Sequence, residues 1–130
     1  GKSINWAKDI QTDQAWPLYY YKDCPIFYAG NCSDIIRVWE LSRFQHLFVL
    51  AKAYLLSRKG TYFDEICLQM HQWIKQNPYK IGPNWVTSMD AAIRSINWIL
   101  ILGMLLPQFQ KQKTLMTKIL VSLYFHGKFL

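Results

Sequence analysis

Two short stretches of the sequence hold the residue types best suited to chemistry. Gly82-Pro83-Asn84-Trp85 sets an amide and an indole in a turn that runs straight into an apolar segment. An amide can hydrogen-bond a carboxylic acid or a sugar hydroxyl, and an indole face can stack on a pyranose ring. The other reading is structural, with Asn84 bracing the turn and Trp85 plugging the core. Elsewhere Glu40 with Arg43, and Asp90 with Arg94, place an acid and an arginine three or four residues apart, which brings both charges onto one helix face. Each pair is either an internal ion pair, because a buried charge without a partner is strongly unfavourable, or a sign that Arg43 and Arg94 face a cleft. In a cleft a guanidinium could grip a substrate carboxylate through two hydrogen bonds. His46 follows Arg43 by three residues and joins the candidate substrate-binding set of Asn84, Trp85, Arg43, His46 and Arg94; its alternative is a satisfied structural imidazole. His71 is expected to face solvent, and His126, next to Gly127, to act as a cationic cap at a helix C-terminus.

Other chemistries lack their residues. No Ser-His-Asp order, HExxH, Walker loop or GxGxxG occurs, and Asp and Glu number 8 in 130 residues, leaving few carboxylates for acid-base work. Cys24, Cys32 and Cys67 have neither CxxC spacing nor a matching histidine cluster, so no metal or other cofactor is expected. Three free thiols are the favoured reading, with a Cys24–Cys32 loop as the alternative in an oxidising compartment. Ile93 to Leu106 is the longest apolar run, but Arg94, Ser95 and Asn97 interrupt it and Pro107 follows, well short of the ~20 apolar residues of a membrane span. The Asn31-Cys32-Ser33 triplet fits a glycosylation pattern too short to carry weight. The polar start at Gly1, Lys2, Ser3, Asn5 and Lys8 has no signal-peptide character. A net charge of +7 favours polyanionic partners. The lysines are spread out rather than striped, so nucleic acid is not expected.

The elements that must position these residues are helices. Residues 1–33 hold Pro17, Pro25 and Gly30 among Trp6, Trp16, Tyr19, Tyr20, Tyr21, Phe27 and Tyr28, without helical period, and read as an extended aromatic-rich segment whose rings cover a core. From a cap at Ser33 or Asp34, Ile35 to Arg58 reads as one long helix, apolar on most sides and hence inside. Thr61 with Asp64 resembles a capping box opening a second helix that stops at Asn77-Pro78, with Phe63, Ile66, Cys67, Met70, Trp73 and Ile74 on one stripe. Thr87 with Asp90 opens a third helix to Leu106, again apolar nearly all round. Beyond Pro107 a fourth carries Phe109, Leu115, Met116, Ile119, Leu120 and Leu123 against Lys111, Lys113 and Lys118. The order buried, amphipathic, buried, amphipathic, at a spacing of roughly fifty residues, is that of helical-hairpin repeats. The expected fold is therefore a single all-α domain, an incomplete α/α toroid of two hairpins over residues 34–130, with a four-helix bundle as the second choice.

Two blocks then carry a likeness. Asp34-Ile-Ile-Arg-Val-Trp-Glu-Leu-Ser-Arg-Phe-Gln-His-Leu47 and Asn77-Pro-Tyr-Lys-Ile-Gly-Pro-Asn-Trp-Val-Thr-Ser-Met-Asp-Ala-Ala-Ile-Arg-Ser-Ile-Asn-Trp98 together resemble the N-terminal α/α toroid domain of the bacterial heparinase II/III-like family, over most of the chain. Arg37 stands where that family would be expected to have a lysine. The resemblance implies cleavage of a uronate-containing acidic polysaccharide by β-elimination: the carboxylate is neutralised, a base takes the C5 proton and an acid assists the leaving oxygen, without a metal. It implies a periplasmic or secreted bacterial protein, and as partners the remainder of the toroid and a C-terminal β-sandwich domain. It also implies that the catalytic Asn-His pair and Tyr lie beyond His126-Gly127, so this chain carries no catalytic residue and is expected to be inactive alone. The rival reading is a non-catalytic helical-repeat domain that binds an acidic partner. An open toroid would expose the apolar flanks of its end helices and invite self-association.

Overall fold

The computed structural model describes residues 3–28 and 32–130. Gly1 and Lys2 of the polar start, Gly30, and Asn31 of the glycosylation triplet lie outside them. The architecture is all-α: α1 (Ile35–Ser42), α2 (Leu47–Ser57), α3 (Gly60–Gln76), α4 (Ser88–Met104), α5 (Leu106–Gln110) and α6 (Lys113–Phe129). Short 3-10 turns lie at Tyr21–Asp23 and Pro83–Trp85, and pairing of extended backbone among the described residues is confined to the isolated bridges Lys8–Ala15 and Tyr20–Ile81. α3 packs on α2 and α6, while α4 packs on α1, α2 and α6.

The long first helix of the sequence reading is two helices. Asp34 caps α1, its side chain accepting from the Ile36 N–H. The helix then ends at Arg43, and Phe44 turns to φ +62°, a left-handed conformation that bulky residues rarely adopt. Burial is the reason. Phe44 is fully enclosed, with ring centroids 4.8 Å from Trp6, 5.3 Å from Trp98 and 6.3 Å from Trp73. Aromatic contacts of this kind contribute about 0.5–1.5 kcal/mol each beyond the area they bury, enough to offset a local strain of about 1–3 kcal/mol.

The other helix ends differ less. Lys59, not Thr61, precedes α3, and it makes no side-chain cap, so the expected Thr61–Asp64 box does not form. Thr87 does cap α4, its hydroxyl accepting from the Asp90 N–H. Pro107 does not simply terminate a helix. It sits in the first turn of the separate α5, where its missing N–H is not needed.

Fifteen buried residues from Trp6 to Ile119 form one core, including four tryptophans, Phe44, Phe63 and Phe109. The N-terminal segment is bound to it through side-chain amides of α3: Trp6 N–H donates to Gln76 Oε1 at 3.1 Å, and Gln76 Nε2 donates back to the Ile4 carbonyl at 2.7 Å. Asp9 is a second anchor. Its carboxylate accepts from Arg37 Nη1 (2.9 Å), Asp34 N–H (3.0 Å) and Gln11 N–H (2.8 Å). Burial alone would raise the Asp9 pKa, but these donors outweigh it and hold the carboxyl at about 2. Trp6 and Trp16 cover the core as expected, whereas Tyr19, Tyr20 and Phe27 remain exposed.

α4 departs from its expected burial on all sides. Ile96, Ile99 and Leu100 are each more than half exposed and form a stripe at helical spacing, a flank left uncovered by the described residues. Val49 and Leu56 of α2 are exposed in the same way. Cys24, Cys32 and Cys67 are all free thiols. No helix among the described residues is long and apolar enough to cross a membrane.

Candidate functional site

Both singled-out blocks converge on one polar seam, built where the C-terminus of α1 meets the loop before α4. Trp39 on α1 donates its indole N–H to the Pro83 carbonyl at 2.9 Å. Arg43, at the end of α1, donates from Nε to Asp90 Oδ1 at 2.6 Å, and Asn97 Nδ2 donates to the Arg43 carbonyl at 2.7 Å. The Thr87 hydroxyl makes a short hydrogen bond to the second Asp90 oxygen. Both oxygens of Asp90 are thereby engaged in a carboxylate that is almost wholly enclosed.

The sequence reading paired Asp90 with Arg94 on its own helix, and the structure corrects it. Asp90 pairs across to Arg43, 47 positions away. The Glu40–Arg43 contact survives only at 4.0 Å, and Glu40 is largely solvated. Arg43 keeps 18% of its side chain exposed, and neither Nη1 nor Nη2 has a hydrogen-bond partner among the described residues, so both could offer N–H groups to an anion.

Arg94 lies deeper, fully enclosed. Its three nitrogens each find an acceptor: Nε donates to His126 Nε2 (2.8 Å), Nη1 to the Ser42 carbonyl (3.4 Å) and Nη2 to the Asn84 carbonyl (3.1 Å). No carboxylate among the described residues forms an ion pair with it. Aromatic faces take that place, with the guanidinium 4.2 Å from the Trp73 centroid and 5.5 Å from that of Trp85. Burial lowers the Arg94 pKa to about 9, opposed by the charge of Asp90, so the group stays protonated at neutral pH.

His126 is where sequence reasoning missed most. It is not a solvated cap at the end of α6 but a fully buried neutral ring. Because Arg94 donates to Nε2, the proton must be on Nδ1, which donates to the Ser122 carbonyl at 2.7 Å. Burial, then the charge of Arg94, pushes its pKa down to about 3. A signal was present: His126 lies seven residues after Ile119, on the same apolar stripe of α6.

Asn84 and Trp85 are enclosed as well. Asn84 Nδ2 donates to the Trp6 carbonyl (2.7 Å) and to Asn77 Oδ1 (2.9 Å), while Trp85 donates to the Asn77 carbonyl at 3.4 Å. These contacts brace the loop from within rather than presenting the amide and indole to solvent. His46 stands apart from the seam, stacked near Trp6 and Phe44 and half-buried. Gln69 gives its amide N–H to Glu65 at 2.7 Å, so its carbonyl accepts from His46 Nε2 at 2.7 Å. His71 is exposed as expected. Thus the structure joins Arg43, Asn84, Trp85 and Arg94 through shared neighbours and leaves His46 on a separate chain of hydrogen bonds.

The loop geometry depends on Gly82. Its φ of +91° with ψ of 176° belongs to a region open to glycine, and its N–H donates to the Tyr19 carbonyl at 2.7 Å. Gly82→Ala should cost about 1–3 kcal/mol in a urea titration through backbone strain, and a loss under about 0.5 kcal/mol would show that the loop relaxes freely. Among the described residues no three His, Cys, Asp or Glu side chains group as a metal site. Comparison with protein-family models, with curated proteins and with solved structures returns no match to this chain.

Proposed function

We propose that this chain is part of the N-terminal α/α toroid of a heparinase II/III-like lyase that cleaves uronate-containing polysaccharide by β-elimination, and that it has no turnover of its own. The observation that carries the reading is the meeting of the two resembling blocks. Residues 34–47 and 77–98 lie far apart in sequence, yet Trp39–Pro83, Arg43–Asp90 and Arg94–Asn84 bind them into one seam. Residue types this polar are kept inside a fold when they hold something in place, and here they hold a loop and the start of a helix. The proposed division of labour follows from exposure. Asn84, Trp85 and Arg94 position the loop, while Arg43, with its free N–H groups, is the seam's candidate for a substrate carboxylate. The exposed stripe on α4 accords with a helix covered by further helices of a toroid, and the reading carries with it a periplasmic or secreted location in a bacterium.

The test is to express the chain together with its downstream sequence and follow the ultraviolet absorbance of unsaturated uronate on heparan sulfate, alginate and bacterial capsule polymers. Release of unsaturated product from one of them, abolished in a chain ending at residue 130, is the expected result. Silence on every uronate polymer sinks the lyase reading. The second reading, a non-catalytic helical-repeat domain for an acidic partner, is favoured by the internal pairing of Arg43 and the enclosure of Arg94. It predicts binding of acidic polymers without any product.

A further inference from the structure

A cavity of about 300 Å³ lies between the end of α3, the Asn77–Tyr79 turn and α6. Its apolar wall is made by Ile74, Tyr79, Trp85, Val121 and Phe125, and Lys118 stands at its edge. A second depression shares Ile74 and Lys118 and adds His71 and Lys75. No Asp or Glu lines either hollow. Neither lysine forms an ion pair among the described residues. The result is an aromatic interior under a cationic rim, the chemistry of a site for a molecule with one anionic end.

The polar groups of the wall narrow the class further. Asn77 spends its Nδ2 on the Trp73 carbonyl and its Oδ1 on Asn84, and the Thr117 hydroxyl donates to the Lys113 carbonyl, which leaves the wall's side-chain hydrogen-bonding to the Tyr79 and Ser122 hydroxyls and Lys118. A sugar ring in this cavity would find few partners for its hydroxyls, and unpaired buried hydroxyls oppose binding. We propose that this cavity binds a compact aromatic carboxylate, its apolar body against Ile74, Tyr79 and Phe125 and its carboxylate at Lys118. This goes beyond the lyase reading and does not depend on it.

The test is calorimetric titration of the chain with 2-naphthoate, 2-naphthalenemethanol and glucuronate. Saturable binding of 2-naphthoate is expected, with the neutral alcohol weaker by roughly fivefold, the size of one exposed ion pair. Lys118→Glu, at an exposed position, should weaken the naphthoate by at least that factor and leave the alcohol unchanged. Val121→Trp, at a half-exposed position, should fill the cavity and abolish both. Should that variant not fold, intermolecular proton contacts between the naphthyl ring and Phe125 in the unaltered chain decide the location. Absence of saturable naphthoate binding, absence of those contacts, indifference of the naphthoate to Lys118→Glu, or glucuronate binding as tightly as naphthoate would each overturn the proposal.

Discussion

Arg94→Ala should lower the stability of the chain by about 3–5 kcal/mol, the scale of leaving several buried neutral acceptors without a donor. The substitution strands three acceptors at once: His126 Nε2, the Ser42 carbonyl and the Asn84 carbonyl. Each unpaired buried group costs about 1–3 kcal/mol, and the lost side chain leaves a void beneath Trp73 and Trp85 that adds to it. Relief from holding a desolvated cation offsets part of this, which is why the total stays below the simple sum. Arg94→Lys is the informative companion. It keeps the charge but loses the planar fork that reaches three directions, so it should recover less than half of the loss. Urea titrations followed by tryptophan fluorescence measure both, and an Arg94→Ala loss below about 1 kcal/mol would show that the network is not what holds the loop.

Acid should unfold the chain through His126 before it does so through the carboxylates. The folded-state pKa is about 3, against about 6.5 for a free imidazole, with burial the largest cause and Arg94 the second. A depressed histidine carries no penalty above its unfolded pKa. Below pH 6.5 the unfolded chain takes up a proton that the folded chain refuses, so stability falls steadily as pH drops from 6.5 towards 3. At about 1.4 kcal/mol per pH unit the loss reaches several kcal/mol, a large share of the stability of a domain this size. Asp9 acts in a lower window: its carboxyl is held at about 2 against 3.8, so its contribution is present above 3.8 and disappears as pH falls towards 2. The two windows can be separated. His126→Gln can keep an acceptor for Arg94 but has no ring to titrate, so it should be less stable at neutral pH and show a flatter stability profile between pH 6.5 and 4. An unchanged slope in that interval would place the proton uptake on another group.

Local patterns in the sequence were enough for the all-α class and for two of the helix spans, α3 and α4, whereas the expected first helix is α1 and α2 and the expected fourth is α5 and α6. The stripe Phe63, Ile66, Met70, Trp73 faces the core along α3, and Thr87 caps α4, because periodicity and capping depend on residues within one or two turns. The break at Phe44 was not legible. No glycine or proline marks it, and it exists because Trp6, Trp73 and Trp98, distant in the chain, close around one ring. The candidate site divides in the same way. The acid and arginine residues of α1 and α4 were recognisable as a set, but a rule built on helical spacing could pair them only within a helix.

What the sequence determined by itself was therefore the inventory: apolar stripes of helical period, a glycine-dependent turn at Gly82, and two blocks of unusual polar residues on either side of α3. Tertiary structure decided the partners. It gave Asp90 to Arg43, gave Arg94 to His126 and to the carbonyls of Ser42 and Asn84, and turned Asn84 and Trp85 inward. The physical reason is range. Helix propensity and capping are settled over a few residues, whereas a buried charge must take whichever acceptors the packed chain brings to it, and those lay 10, 32 and 52 positions away.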